Sequence, residues 1–335
     1  MKTFINKVLA KENLTSQEMH QLMRQVMEGK ASQEDLAQFL LALREKKPTV
    51  DEITGAAQAL REFSIKIHAQ DKTILDTCGT GGDKLGTFNI STASAFVVAG
   101  AGCIVAKHGN RSVSSRCGSA DVLEALGINI QMDVSRLEEC LEKAGIAFLF
   151  AQKLHPAMKH AAGVRKELGV ETIFNILGPL TNPAQATHQV MGVYSDSLVE
   201  PMAHVLQNLG LKRALVVHGD DGLDEITTTT TTHAAEYFKD EVKIYTISPE
   251  TYKIPLSKIS DLKGGDAKEN KKIIVKILVG EKGPKRDIVV LNAGYALYIA
   301  EMVKSVEEGI VLARHSIDSG KAVQKLELLV KITNQ

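Results

Sequence analysis

Residues 75–118 read LDTCGTGGDKLGTFNISTASAFVVAGAGCIVAKHGNRSVSSRCG, two loops rich in glycine and polar or basic residues separated by an alanine-rich segment. Thr73, Ile74 and Leu75 form a short apolar run that stops at GTGG, the pattern of a strand opening into a turn. Gly79, Gly81 and Gly82 lack Cβ atoms, so the backbone there can adopt positive φ and turn its N–H groups toward an anion. Asn89, Ser91 and Thr92 precede a small-residue helical run around Phe96, Val97 and Val98, which makes a helix N-terminus a second anion site. Cys103, Ile104, Val105 and Ala106 then read as a second buried strand, followed by a basic loop, Lys107, His108, Gly109, Asn110 and Arg111. Parallel strands joined by one helix put their carboxyl ends on the same edge of a sheet, where ligands of open α/β sheets bind. The unit therefore reads as a phosphate-handling βαβ motif.

Working outward, the composition is that of an ordinary globular protein: 335 residues, 44% hydrophobic and 24% charged. Forty basic residues balance forty acidic ones, which gives no bulk electrostatic support for a nucleic-acid or membrane-surface role. The opening MKTFINKVLAKEN alternates apolar and charged residues without the apolar core of a signal peptide, and no later run approaches a membrane span. A cytoplasmic location is the expectation. Cys78, Cys103, Cys117 and Cys140 have neither zinc-site nor disulfide-framework spacing and are expected as reduced thiols, with Cys78 partly exposed in its loop.

Three amphipathic helices are expected in the first sixty-odd residues. Thr15 with Glu18 and Thr49 with Glu52 form capping-box pairs, Ser32 opens the second helix, and Met19, Met23 and Met27 share a face. Beyond the organising unit the spacing predicts helices over 121–126 and 133–143 and a strand over 146–151. A helix opened by Pro156 carries Arg165 near its end. His155 and His160 are five apart, unsuited to a helical metal pair, and are read as structural or solvent-facing. FNILGPLTNPA, dense in Asn, Gly and Pro, suggests a connection over the surface and a hinge. Strands over 188–194 and 213–218 follow, the second ending at GDDGLDEI, where acids beyond a strand's carboxyl end could hold a magnesium-bridged diphosphate or form a solvated turn. The six threonines 227–232 suit a strand. Residues 248–272 read as an irregular surface segment, and helices containing Tyr295, Leu312 and Leu326 close the chain.

DTCGTGGDKLGTFNIST, AKHGNRSVSSRCGSADVLEALG, HPAMKHAAGVRKELGVETIFNILGPLTNPA and GLDEI, in this order, resemble the anthranilate phosphoribosyltransferases of tryptophan biosynthesis. The likeness runs from about Asp76 to Glu225 and resumes weakly at LNAGYALYIAE and IDSGKA; the threonine run departs from the family's more varied pattern. The resemblance implies an α/β fold: a small N-terminal helical domain over 1–70, joined by helices from about 155–180, and a larger α/β domain over 71–335 with a central, mostly parallel sheet of the nucleoside phosphorylase/phosphoribosyltransferase kind. It implies transfer of the phosphoribosyl group of 5-phosphoribosyl 1-diphosphate to the amine of anthranilate, with release of pyrophosphate. Gly79, Gly82, Asp83, Thr87, Asn89, Ile90, Ser91, Thr92, Lys107, Ser115 and Ser119 would line the diphosphate substrate, with Lys107 acting electrostatically and no residue as acid or base. Gly79, His108, Asn110 and Arg165 would receive anthranilate. Ser91, Asp224 and Glu225 would hold two Mg2+ ions per subunit. Arg111 and Arg116 stay open between phosphate contact and loop ion pairs. A homodimer through the helical domain is implied, with the methionine face favoured as its contact, and neither nucleic acid nor membrane as partner. Two other readings stand beside this one: a pyrimidine-nucleoside phosphorylase of the same fold, and a nucleic-acid-binding, non-enzymatic paralogue.

Overall fold

A computed structural model describes residues 1–69, 73–112 and 116–335. Four helices open the chain, α1 (Lys2–Leu9), α2 (Ser16–Met27), α3 (Gln33–Lys46) and α4 (Val50–Glu62). Both capping boxes form, and Ser32 accepts a hydrogen bond from the Asp35 amide, as the sequence grammar dictates. The first helix is an addition to the expected three. Only Ile5 and Val8 of its eight residues are buried, too few to stand out from the lysines around them. Met19, Met23 and Met27 are 0%, 0% and 3% exposed within this single chain, so the methionine face is core and cannot be the subunit contact that the resemblance favoured.

The α/β part carries one seven-stranded sheet: β1 (Ile74–Asp76), β2 (Ile104–Gly109), β3 (Ile146–Phe150), β4 (His188–Gly192), β5 (Arg213–Gly219), β6 (Thr232–Phe238) and β7 (Glu241–Ile247), in the spatial order β3-β2-β1-β4-β5-β6-β7. The first five are parallel, and β6 and β7 add an antiparallel edge. From β1 the chain builds outward to β2 and β3, then returns to lay β4 on the other side of β1. That reversal opens a crevice beyond the carboxyl ends of β1 and β4, where a doubly wound sheet has room for a ligand.

Two apolar clusters flank the sheet. One packs α5 (Ile90–Gly100) and the C-terminal helices Pro284–Ile299, Val306–Asp318 and Lys321–Thr333 with β1–β3. The other unites α1–α4 with helices Lys159–Leu168 and Val199–Asn208 and with Met191, Ala214, Val216 and Ala235 of the sheet. No helix among the described residues is long and apolar enough to cross a membrane.

Several expectations are corrected. Residues 174–183 are not a surface connection: Phe174, Ile176, Leu177, Pro179, Leu180 and Asn182 are buried, and Asn182 donates to Asp76 Oδ2 (2.7 Å) and to the Ala106 carbonyl (2.8 Å). Asn and Pro here supply fixed backbone shape inside the protein, where composition suggested solvent. The threonine run is not a strand before Thr232. Thr227 and Thr229 donate to Asp221, Thr231 donates to Asp220, and Thr228 shares a hydrogen bond with Ser257, so the hydroxyls bind an irregular turn that a β-branched ladder was expected to fill. Segment 248–272 is ordered by two 3-10 turns, Pro249–Tyr252 and Ile259–Leu262, and runs into helix Ala267–Leu278. Cys78 is 7% exposed and its thiol is pushed well above its usual range by burial.

Candidate active site

The crevice floor comes from three turns. After β1, Gly81 and Gly82 take φ of +64° and +91°, and the Gly81 amide donates to Asp224 Oδ2 at 2.8 Å. At the end of β4, a Cβ on Gly192 would collide with the Asp224 carbonyl, so glycine there lets the acidic turn after β5 sit directly against the sheet edge. Glu225 Oε1 accepts from the Ser91 amide at the start of α5, 3.0 Å away. Asn292, buried on helix Pro284–Ile299, pins this turn by accepting from the Ile226 amide (3.0 Å) and donating to its carbonyl (2.8 Å).

Lys107 is the cation inside this ring. It lies on β2, with the basic loop beginning at Asn110, three residues later than the sequence suggested, and it is 4% exposed. Its ammonium donates to the Thr77 carbonyl (2.6 Å) and to Ser91 Oγ (3.1 Å). Burial lowers its proton affinity, and Asp76 in turn raises it. The acids feel the opposite push. Burial raises Asp224 to about 7, with Asp83 adding to the rise, and raises Glu225 to about 8, with Asp224 adding. Asp83 is raised too, chiefly by burial. Asp76, Asp224 and Glu225 all act on the one buried lysine, and Asp83 adjoins Asp224 on the outer side, an arrangement short of positive charge. Among the described residues no three His, Cys, Asp or Glu side chains form a ready cage, so a hard cation here would complete its shell with oxygens from a ligand or water. Thr92 Oγ1, buried at the start of α5, has no hydrogen-bond partner.

Next to the ring stands a pair of imidazoles. His108 Nδ1 lies 3.1 Å from the Gly178 carbonyl, and His108 Nε2 lies 3.2 Å from His155 Nε2. Burial lowers His108 to about 3 and His155 to about 4, so both rings are neutral. A carbonyl only accepts, which puts the His108 proton on Nδ1; His108 Nε2 must then accept, and His155 donates from Nε2.

Both parts of the chain match one glycosyl transferase family: residues 2–64 its "helical bundle domain" and residues 71–323 its "a/b domain". Anthranilate phosphoribosyltransferase of Acetivibrio thermocellus is 55% identical over 334 residues, covering 100% of this chain and 97% of the relative. This chain belongs to the anthranilate phosphoribosyltransferase family. The crystal structure of the Thermus thermophilus anthranilate phosphoribosyltransferase superposes with a TM-score of 0.94 at 42% identity, covering 99% of each chain. The Saccharomyces cerevisiae anthranilate phosphoribosyltransferase in complex with PRPP and Mg gives 0.90 at 27% identity, over 99% of this chain and 97% of that one.

Of the residues the family resemblance singled out, Gly79, Ser91, Asp224 and Glu225 line one small cavity together with Thr77, and Lys107 reaches its edge. Gly82 and Asp83 follow in the same loop, and Thr87 makes a bridge to Lys263. Ile90 is buried under the first turn of α5. Asn110 Oδ1 accepts from Gln152, and the Asn110 carbonyl accepts from Ser119 Oγ. Ser115 lies outside the described residues. Arg165 makes no direct contact with the ring. It is half-buried, stacks over Phe174 (5.1 Å to the ring centroid) and has no carboxylate partner among the described residues, while burial lowers its proton affinity. Arg111 is committed to ion pairs with Asp121 (3.0 Å) and Glu124, and Arg116 is exposed.

Sequence reasoning missed four buried groups in this anthranilate phosphoribosyltransferase-like site: His155, Asp76, Asn182 and Asn292. His155 takes the structural one of its two expected roles, buried and completing the His108 pair, a partner the sequence does not point to. Asp76 is 0% exposed and accepts from the His108 amide, Asn182 and Cys78, tying β1, β2 and the 178–183 segment together. None carries a sequence signal, because each is defined by a partner some 30 to 106 positions away.

Proposed function

We propose that this chain carries out the family's reaction with its labour divided along the crevice. The observation that carries this reading is the charge-poor cluster of Asp224 and Glu225, with Asp83 next to Asp224 and Lys107 at the cavity edge, beside a neutral histidine pair. The glycine turn and the start of α5, with Gly79, Gly82, Thr87, Asn89, Ser91 and Thr92, would receive the diphosphate substrate. Asp224, Glu225 and Ser91 Oγ offer hard oxygen donors suited to magnesium, two ions per subunit in this reading. Bound magnesium would neutralise the diphosphate and stabilise the departing pyrophosphate.

In the reaction a bond forms between the anthranilate nitrogen and the anomeric carbon of the ribose. The carbon–oxygen bond to pyrophosphate breaks, pyrophosphate leaves with its electron pair, and the amine gives up a proton. Lys107 stabilises the negative charge gathering on the leaving group; held by Thr77 and Ser91, it needs no rearrangement to do so. Arg165 offers a paired, charge-assisted contact to the anthranilate carboxylate, with His108 and Asn110 meeting the ring and its amine. Because the acids sit in a poorly solvated pocket, water is kept from the cationic sugar.

The division into a helical domain to about residue 70 and an α/β domain beyond it belongs to this reading, supported by the family match, which breaks between residues 64 and 71. A homodimer through the helical domain is also part of it. Leu9 and Leu41, 47% and 43% exposed on α1 and α3, offer apolar contact there in place of the buried methionines. A reducing cytoplasm suits four cysteines that are all free thiols.

The test supplies phosphoribosyl diphosphate, magnesium and either anthranilate or aminobenzene, and follows pyrophosphate release. Anthranilate should drive release and aminobenzene should barely do so. Equal turnover of both, or phosphate-dependent cleavage of uridine with no pyrophosphate from anthranilate, would overturn the reading.

A further inference from the structure

Segment 257–270 lies against the loop between the glycine turn and α5. The Phe88 amide donates to the Leu262 carbonyl (3.1 Å), the Gly264 amide donates to the Gly86 carbonyl (3.0 Å), and Thr87 and Lys263 pair as an antiparallel bridge. A Cβ on Gly264 would lie 2.7 Å from Phe88 Cα, so glycine is required for this approach. Lys263 Nζ closes the strap on the Leu85 carbonyl at 2.5 Å.

Asn270, one turn into helix Ala267–Leu278 and 1% exposed, reaches from this strap into the cradle. Its Oδ1 accepts from the Gly265 amide (2.8 Å), and its Nδ2 donates to Asn89 Oδ1 (2.9 Å). Asn89 Nδ2 in turn donates to the Cys117 carbonyl (3.1 Å). Asn89 occupies the N-cap position of α5, and asparagine there ordinarily turns its side-chain oxygen onto the free amides of the first turn. It does not do so here: Asn89 makes no side-chain capping bond, and Thr92 Oγ1 in that first turn has no partner.

We propose that Asn270 is a positioning residue that holds the Asn89 oxygen away from the end of α5 and so keeps that helix terminus open for the diphosphate substrate. Without the Asn270 donor, the Asn89 side chain can give up its Cys117 contact and turn its oxygen onto the Thr92 amide, the Ser91 amide being held by Glu225, which stabilises the helix and competes with the ligand for that donor. Helix stability and substrate affinity therefore move in opposite directions, which a residue that merely supports the fold would not produce. The inference rests on the reading that the start of α5 receives phosphoribosyl diphosphate, and wild-type binding of that substrate tests the reading separately.

Asn270→Asp keeps the acceptor for Gly265 and removes the donor to Asn89. The expected result is a KM for phosphoribosyl diphosphate raised about tenfold, with the KM for anthranilate within about twofold of wild type. Asn89→Ser and Asn89→Ala give a second test that leaves Asn270 in place: serine caps a helix and alanine does not, and neither reaches Asn270. The Ser variant should melt higher than the Ala variant yet bind phosphoribosyl diphosphate more weakly. In an Asn89→Ala background, Asn270→Asp should add less than about twofold to the KM. If Asn89→Ser binds the substrate as well as or better than Asn89→Ala, or if Asn270→Asp leaves the phosphoribosyl diphosphate KM at its wild-type value while wild type binds normally, the proposal is overturned.

Discussion

The acidic end of the crevice and its acceptor end solve the burial of polar groups in different ways. At the acidic end, Asp83, Asp224 and Glu225 are drawn together by backbone amides and by a glycine that admits the turn, and they stay short of cations. At the proposed acceptor end, His108 and His155 are neutral and satisfy one another and Gly178, and Arg165 stacks over the Phe174 ring with no ion-pair partner among the described residues. In the proposed reading one end receives positive charge with a ligand, and the other holds a guanidinium for a ligand's carboxylate. A site that joins a magnesium-bound diphosphate to an aromatic acid needs both, and the contrast says which end each substrate should depend on.

The largest expected effect breaks the acidic end. Changing Asp224→Asn and Glu225→Gln together removes the two carboxyl groups that would ionise onto a bound cation while nearly preserving shape, and turnover should fall by about 10²- to 10³-fold, with the magnesium optimum moving upward. A double variant whose magnesium dependence matches wild type would mean that these acids do not hold the metal.

Next in size is the acceptor end alone. Losing one charge-assisted contact costs about 1.5–3 kcal/mol, so Arg165→Ala should lower kcat/KM for anthranilate by about 10- to 150-fold and leave phosphoribosyl diphosphate binding within about twofold. Steady-state kinetics varying each substrate in turn makes the check. Losses shared equally between the two substrates would dissolve the division between the ends.

The smallest effect concerns stability and needs no substrate. Burial depresses the histidines to about 4 and 3, so between those values and the unfolded value near 6.5 the native state binds fewer protons than the unfolded chain. Their contribution is full above about pH 6.5 and is lost as pH falls through the folded values, with a slope of at most about 1.4 kcal/mol per pH unit per imidazole. Urea unfolding of wild type and His155→Gln at pH 7 and pH 5 should show the variant losing less stability over that step. Parallel losses in the two proteins would argue that His155 is not buried as a neutral ring.

Much of this was legible along the chain. Thr15 and Glu18 sit three apart and cap whatever helix follows them; GTGG can only turn; an apolar run, a small-residue helix and a second apolar run must form a βαβ unit. These readings depend on neighbours within a turn or two, where backbone chemistry dominates. The misreadings share another cause. FNILGPLTNPA has the composition of a surface loop but is buried, because Asn182 spends its polar groups on Asp76 and Ala106 from other strands. The threonines look like a strand but serve Asp220 and Asp221 as hydroxyl donors. Segment 248–272 has little periodicity because its work is done by backbone pairing with residues 86–88.

The sequence by itself determined the α/β class and the order of the phosphate-handling loops, because local propensity and the spacing of glycine, hydroxyl and charged residues specify these without reference to distant partners; the acids and Lys107 were singled out by family resemblance, a solvated turn standing open beside it for the acids. Only the tertiary structure decided that Lys107 is buried on a strand, that His155 rather than solvent faces His108, and that Asn182, Asn270 and Asn292 hold the site's segments in register. An asparagine has the same composition value wherever it stands; its role is set by which buried backbone group, far away in the chain, would otherwise be left without a hydrogen bond.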